Sequence, residues 1–151
     1  MVKNKYTPPY SDHSAGAAIS HAARLMSQAL AEAQQHLHIA PAQYRILTEL
    51  WKHGGLTQRD LVARLDIEQS TIGNTLSRME RDGLIQRKPH PTDGRAQIIG
   101  LTARARKLRE PAMAIASKIN NTVLLGFSAA EKAQFREFMN RIISALKEAI
   151  D

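Results

Sequence analysis

A chain of 151 residues, with 43% hydrophobic and 23% charged side chains, has the composition of one globular module rather than of a disordered segment. It contains no cysteine, which excludes disulfide scaffolds and redox sensing by a thiol. The net charge is +7, and residues 57–109 hold most of the excess, with 11 basic and 6 acidic side chains. Such a localised basic segment favours a phosphate backbone as partner, although a generic solvated surface would have the same charge.

The first 36 residues predict a flexible arm followed by one helix. Residues 1–13 contain two lysines and a Pro-Pro pair, which is typical of an N-terminal arm. The next segment, 14–36, has apolar positions three and four residues apart, at Ala18, Ala22, Leu25, Ala29 and Ala33. The N-terminus lacks a signal-peptide pattern and no apolar run could cross a bilayer, so we expect a cytoplasmic protein without membrane contact.

Three further helices are predicted before residue 82. Pro41 suits the first turn of a helix that runs to residue 52 and ends before a Gly-Gly pair. Thr57 and Asp60 form a variant capping box at the start of the second helix. After a tight turn, a third helix over 68–81 stacks apolar side chains on one face, at Ile72, Leu76 and Met79.

The second half predicts a hairpin and two more helices. Residues 84–88 and 97–101 are strand-like and flank a tip rich in proline with an Asp-Gly pair. Thr102 begins a helix that reaches about residue 126, and Pro111 bends this helix or marks its break. A Ser-x-x-Glu capping box at 128–131 begins a last helix that ends near residue 150. The fold class is therefore mainly α with a small β-hairpin.

A short capped helix, a turn, a second short helix and a basic hairpin form the pattern of a winged helix-turn-helix. Small polar and cationic side chains, which can enter a major groove and bond to base edges, lie opposite the apolar stripe of the 68–81 helix. They are Ser70, Asn74, Ser77, Arg78 and Arg81, and Thr71 and Gly73 flank them. A solvated helix face is the alternative interpretation. On the hairpin we predict that Arg95 enters a minor groove, that Asp93 holds its guanidinium, and that Arg87, Lys88 and His90 add positive charge. An ordinary Asp-Gly turn beside a charge is the alternative there.

Several segments resemble the MarR (multiple antibiotic resistance regulator) family. They are LVARL at 61–65, QSTI at 69–72, LSRMERDGLI at 76–85, PTDGR at 91–95 and LT at 101–102. The segments 40–47 and 127–131 are also similar to its pattern, so the resemblance covers residues 17–148. One departure is Ala105, which stands where the family's Leu-Thr-x-x-Gly pattern has glycine.

The resemblance implies a winged helix-turn-helix over 41–102, with dimerisation helices at 14–38 and 103–151. It implies a homodimer that reads a pseudo-palindromic DNA operator, and we expect a repressor. The predicted DNA contacts are Thr57, Gln58, Gln69, Ser70, Thr71, Asn74, Ser77, Arg78, Arg87, Asp93 and Arg95. The predicted apolar dimer contacts are Ala22, Leu25, Ile115, Ile119, Phe138 and Ile142.

The resemblance also implies a pocket for a small aromatic or phenolic acid, whose carboxylate Arg24 and Arg95 would face. The predicted lining is His21, Arg24, Tyr44, Leu47 and Trp51. The alternative interpretation is structural: Trp51 and Tyr44 belong to the core, and Arg24 forms an ion pair in the dimer.

A metal-responsive regulator of the same fold is the alternative function, because His36 and His38 flank one residue and two further histidines stand at 21 and 53. A zinc site needs about four converging ligands, which two neighbouring histidines do not supply. The sequence has no phosphate loop, nucleophile motif or paired catalytic carboxylates. We therefore expect no enzyme, no catalytic or metal-ligating residue and no cofactor.

Overall fold

The computed structural model describes residues 14–150, so the predicted arm at 1–13 lies outside the described residues. The helices there are α1 (Ala15–Gln34), α2 (Pro41–His53), α3 (Gln58–Leu65), α4 (Gln69–Arg81), α5 (Ala103–Lys107), α6 (Arg109–Val123) and α7 (Ala129–Ile150). The strands are β1 (Leu56–Thr57), β2 (Ile85–Pro89) and β3 (Gln97–Leu101). This mainly helical chain with a small antiparallel sheet confirms the predicted fold class. No helix within the described residues is long and apolar enough to cross a membrane.

Local hydrogen bonds fix the helix starts that the sequence predicts. The Ser14 hydroxyl accepts from the N–H of Ala17 at 3.1 Å and caps α1. At α3 the Thr57 hydroxyl accepts from the N–H of Asp60 at 3.1 Å, and the Asp60 carboxylate accepts from the N–H of Thr57 at 2.9 Å. This reciprocal pair is the predicted capping box, and it satisfies two backbone donors that a helix start leaves free.

A tight turn separates α3 from α4, and both helices bury their apolar stripes. Asp66 adopts a left-handed conformation with φ of 51°, which ends α3 and redirects the chain into α4. In the core, these two stripes pack together with apolar side chains of α2 and of the sheet. Its most deeply buried side chains are Ile46, Leu47, Leu50, Leu61, Ile72, Leu76, Met79, Leu84 and Ile99.

The sheet has the order β1-β3-β2, with both pairs antiparallel. The hairpin of β2 and β3 is the predicted wing, in which Arg87 pairs with Ile99 across the ladder. Strand β1 was not predicted, because its two residues form a strand only through pairing with β3, as Leu56 does with Ile99. Gly55 permits this approach, since a Cβ there would lie 2.5 Å from a methyl carbon of Ile98.

The predicted long helix after the wing is two helices. Thr102 caps α5 by accepting from the N–H of Ala105 at 3.2 Å, and the helix ends at Lys107. In a continuous helix the ring of Pro111 would clash with the carbonyl of Lys107, four residues earlier, and proline has no N–H to donate to that carbonyl. Pro111 therefore marks a break, and α6 ends at Val123 rather than near residue 126.

The chain divides into two compact units, with the boundary after Ile115. The second unit holds the end of α6 and all of α7, which Ser128 and Glu131 begin with the predicted capping box. Large apolar side chains of this unit are exposed in the single chain, among them Phe135 and Phe138 at 46% each.

Candidate nucleic-acid interface

Helix α4 has one buried and one exposed face. Ile72, Leu76 and Met79 are at most 1% exposed, so their side of the helix is core. Asn74 and Arg78 lie on the exposed side, and their side chains make no hydrogen bond or ion pair with any residue of 14–150. The hydroxyl of Ser77 donates back to the carbonyl of Gly73 at 3.1 Å. The exposed face of α4 thus offers the free Asn74 carboxamide and the free Arg78 guanidinium between small side chains.

The polar side chains at the start of α3 form hydrogen bonds with other groups of the protein. Besides its capping role, the Thr57 hydroxyl donates to the Asp60 carboxylate at 2.7 Å. These bonds from Thr57 lower the pKa of Asp60 and keep the carboxylate charged. Gln58 Nε2 donates to the carbonyl of Gln69 at 3.2 Å, which ties α3 to the first residue of α4. Thr57 and Gln58 therefore order the helix-turn-helix, whatever they contact outside the protein.

The tip of the wing is ordered by two side chains. His90 Nδ1 accepts from the N–H of Thr92 at 3.3 Å and of Asp93 at 3.2 Å. Asp93 Oδ1 accepts from the backbone N–H of Arg95 at 3.0 Å. Within the described part of the chain the Arg95 guanidinium has no carboxylate partner, so the predicted Asp93–guanidinium contact is replaced by a bond to the backbone. Arg95 itself is exposed.

Arg87 lies on β2 but is held by α4. Its Nε is 3.2 Å from Glu80 Oε2, and only 24% of its side chain is exposed. This ion pair joins the wing to the helix and lowers the share of the Arg87 charge that is available to a partner. The neighbouring Lys88 is exposed.

A cleft of about 510 Å³, here called the wing cleft, separates the start of α3 from the wing. Its lining is Thr57, Gln58, Arg59, Asp60, Gln69, Arg87, His90, Asp93, Arg95, Ala96, Gln97 and Ile99. Six of the predicted contact residues are brought together here, whereas Ser70, Thr71, Asn74, Ser77 and Arg78 continue along α4 outside the lining. Arg59 was missed by the sequence analysis, although its place in the first turn of α3, beside Gln58, would have identified it.

The predicted ligand-pocket residues fall into two groups: Tyr44, Leu47 and Trp51 lie together on α2, whereas His21 and Arg24 lie on α1. Leu47 is fully buried, and Trp51 is 8% exposed with its Nε1 donating to the carbonyl of Ala105 at 3.0 Å. Both belong to the core cluster. Tyr44 is half-buried, packs edge-on against Trp51 with ring centroids 6.2 Å apart, and donates its hydroxyl to Met113 Sδ at 3.8 Å. On α1, Arg24 is exposed and His21 is half-buried.

The histidines of the alternative function do not converge in the described residues. His36 lies in a 3-10 turn after α1 and His38 follows it, both exposed. His53 lies 3.1 Å from a guanidinium nitrogen of Arg64 and 3.6 Å from Glu49 Oε2. Among residues 14–150, no three histidine or carboxylate side chains come together as a metal site would require.

Comparisons with known proteins agree with this geometry. The model of the MarR family matches residues 39–96. The organic hydroperoxide resistance transcriptional regulator of Bacillus subtilis (strain 168) is 32% identical over 111 residues, which are 74% of this chain and 72% of that protein.

Solved structures show the same fold. A MarR transcriptional regulator from Methanosarcina mazei Go1 is 23% identical, with a TM-score of 0.74 over 89% of this chain and 95% of that one. A protein assigned to the MarR transcriptional regulators of Listeria monocytogenes, solved with 26mer DNA, is 20% identical, with a TM-score of 0.81 over 87% of this chain and 88% of that one. The relatives are regulators and not enzymes, as expected from the sequence. The family match, the 32% identical relative and the winged helix-turn-helix together show that this chain belongs to the MarR family of DNA-binding transcriptional regulators.

Proposed function

We propose that this chain reads a specific DNA sequence by inserting the exposed face of α4 into the major groove. The observation that carries the proposal is the two-sided character of α4, whose free Asn74 and Arg78 lie opposite a fully buried stripe. A B-DNA major groove is about 12 Å wide and admits a helix. Asparagine pairs well with adenine and arginine with guanine through two hydrogen bonds each. The Listeria relative was solved with 26mer DNA, which supports this use of the fold.

The wing cleft supplies the contacts that do not depend on sequence. Arg59 and Arg95 are exposed cations on its two sides, and Lys88 extends the positive surface along β2. Phosphate contacts of this kind fix the register of a protein on the duplex. In the proposed complex the wing lies along the phosphate backbone of the DNA, beside the major groove that α4 occupies. Arg95 reaches the neighbouring minor groove.

The proposed active form is a homodimer that acts as a repressor. Exposed apolar side chains support dimerisation, including Leu25 on α1, Met113 on α6, and Phe138 and Leu146 on α7. Isolated apolar side chains are ordinary on a surface, but exposed Phe135, Phe138 and Leu146 share one face of α7, and such a contiguous stripe is typical of a partner surface. Two-fold symmetry doubles the DNA sequence that is read, with half-sites about 34–36 Å apart. We also propose a cytoplasmic location, because a DNA-binding regulator acts where the DNA is.

The proposed effector is a small aromatic acid that binds near Arg24 and Tyr44. The half-buried Tyr44 ring and the exposed Arg24 guanidinium support this choice, since one offers an apolar wall and the other a carboxylate partner. Leu47 and Trp51 would take part only as the core behind the wall. An effector changes DNA affinity only if it binds differently to two conformations.

The proposal is tested by Asn74→Ala and Arg78→Ala, with Arg45→Ala as control. Arg45 is an exposed arginine on α2 outside the wing cleft, and its loss changes the net charge by the same amount as the loss of Arg78. Each α4 variant should lose about 1–3 kcal/mol of binding to a duplex that the wild-type protein enriches from a random-sequence pool. Gel-shift titration measures the loss. Wild-type affinity in both α4 variants would reject α4 as the reading helix.

A further inference from the structure

The carboxamide of Gln58 bridges the ends of α3 and α4 that border the wing cleft. Gln58 is the first residue of α3, and its Nε2 donates to the carbonyl of Gln69, the first residue of α4, at 3.2 Å. A carbonyl oxygen has two lone pairs, so Gln69 can accept this bond besides a helical one. The start of α3 is itself fixed by the bonds between Thr57 and Asp60. The bridge therefore sets α4 against an end of α3 that is already held.

Gly73 provides a second, independent observation. It stands in the interior of α4, where glycine lowers helix stability relative to alanine. Its backbone does not require glycine, because the glycines with positive φ are at other positions among the described residues. A Cβ built at position 73 would lie 3.2 Å from Gln58 Nε2, and 4.0 Å from each of the next two atoms of the same carboxamide. Alanine would thus require a shift of a few tenths of an ångström from the same carboxamide that donates to the Gln69 carbonyl.

We infer that Gln58 is a positioning residue for DNA reading, and that glycine at position 73 leaves the Gln58 carboxamide room for its bond to the Gln69 carbonyl. The pair interlocks α3 with α4 and fixes the angle at which α4 presents Ser70 and Asn74. This role goes beyond the direct DNA contact predicted for Gln58. It rests on the proposed function, since it concerns how accurately α4 meets base edges.

The test is a double-mutant cycle with Gln58→Ala, Gly73→Ala and the double variant, each made in the full chain. Fluorescence anisotropy measures binding to the duplex enriched by the wild-type protein and to a scrambled duplex of the same composition. Gln58→Ala should lower the ratio of the two affinities about fivefold per half-site, and so about 25-fold for the homodimer, which corresponds to one net hydrogen bond per protomer. Affinity for the scrambled duplex should fall less than affinity for the enriched duplex, because the variant keeps the charge of the wild-type protein. Gly73→Ala should lower the ratio by a similar factor in the wild-type background and by less than about twofold once Gln58 is alanine.

Gln58→Met separates hydrogen bonding from packing, because methionine has a similar length and no donor. It should lose discrimination as Gln58→Ala does, while a thermal melt gives each variant's folded fraction. Equal losses from Gly73→Ala in both backgrounds would mean that its Cβ meets DNA directly, and would overturn the interlock. A parallel loss on both duplexes in Gln58→Ala would also overturn it, since that pattern identifies a phosphate contact. Wild-type protein that fails to distinguish the two duplexes would instead contradict the proposed function itself.

Discussion

Arg95→Ala removes the exposed cation at the tip of the wing, and we expect the backbone conformation of the tip to stay unchanged. The hydrogen bonds that order the tip use the Arg95 backbone N–H, which alanine keeps, and the ring of His90. The guanidinium is not engaged by a carboxylate within residues 14–150, so its removal leaves no buried charge behind. We therefore expect an intact hairpin, a lower DNA affinity and a weaker dependence of that affinity on salt.

The magnitude follows from counterion release. Each phosphate neutralised on B-DNA contributes about −0.9 to the slope of log affinity against log salt concentration. A homodimer has two wings, so the loss of one contact per protomer should make the slope shallower by about 1.8. From 50 to 200 mM salt the logarithm of concentration rises by about 0.6, so the wild-type protein should lose about 12-fold more affinity than the variant over this range.

Anisotropy titrations with the enriched duplex at four salt concentrations measure both slopes. Arg45→Ala, which removes the same charge from the exposed surface of α2, is the matched control and should keep the wild-type slope. If Arg95→Ala binds as tightly as wild type with an unchanged slope, the wing tip makes no contact with DNA and the reasoning is wrong.

Three further expectations concern the cap, the dimer and the effector. The Thr57 bonds lower the pKa of Asp60, so its ionised form adds stability that is present above the ordinary pKa and is lost as pH falls through the lowered value. Urea unfolding should accordingly show wild type more stable than Asp60→Asn at pH 6, with the gap closing towards pH 3; a gap independent of pH would contradict this. Analytical ultracentrifugation should give a dimer at micromolar concentration, and Phe138→Glu should raise the dimer dissociation constant; a wild-type monomer would refute dimerisation. Arg24→Ala should keep DNA affinity but no longer release DNA on addition of those members of a panel of phenolic acids to which wild type responds, and release at the wild-type concentration would exclude Arg24 from the pocket.

Local signals were sufficient for most of the helix-turn-helix. The capping box at Thr57, the apolar stripe of α4 and the stop after residue 81 all depend on neighbours within one or two turns, and the structure reproduces them. Strand β3 was also predicted with its observed bounds. The break caused by Pro111 was one of two predicted outcomes, because sequence alone does not say whether a proline bends a helix or ends it.

The parts that could not be predicted depend on contacts between distant segments. Strand β1 exists only because it pairs with β3, some forty residues later. The ion pair that draws Arg87 towards Glu80 needs the wing and α4 in place. From the sequence, the Asp93 carboxylate could bind either the guanidinium or the backbone N–H of Arg95. The geometry of the turn selects the backbone N–H. Likewise, apolar periodicity could not distinguish a ligand wall from the core at Leu47.

The most direct measurement of the central claim is selection of duplexes from a random-sequence pool by the wild-type protein. We predict enrichment of one pseudo-palindromic motif whose half-site centres are 10–10.5 base pairs, or a multiple of that spacing, apart. The same selection with the Asn74→Ala, Arg78→Ala double variant should lose preference at the base positions that α4 reads. Recovery of a pool with no enriched motif, or of the same motif by the double variant, would contradict sequence reading by α4.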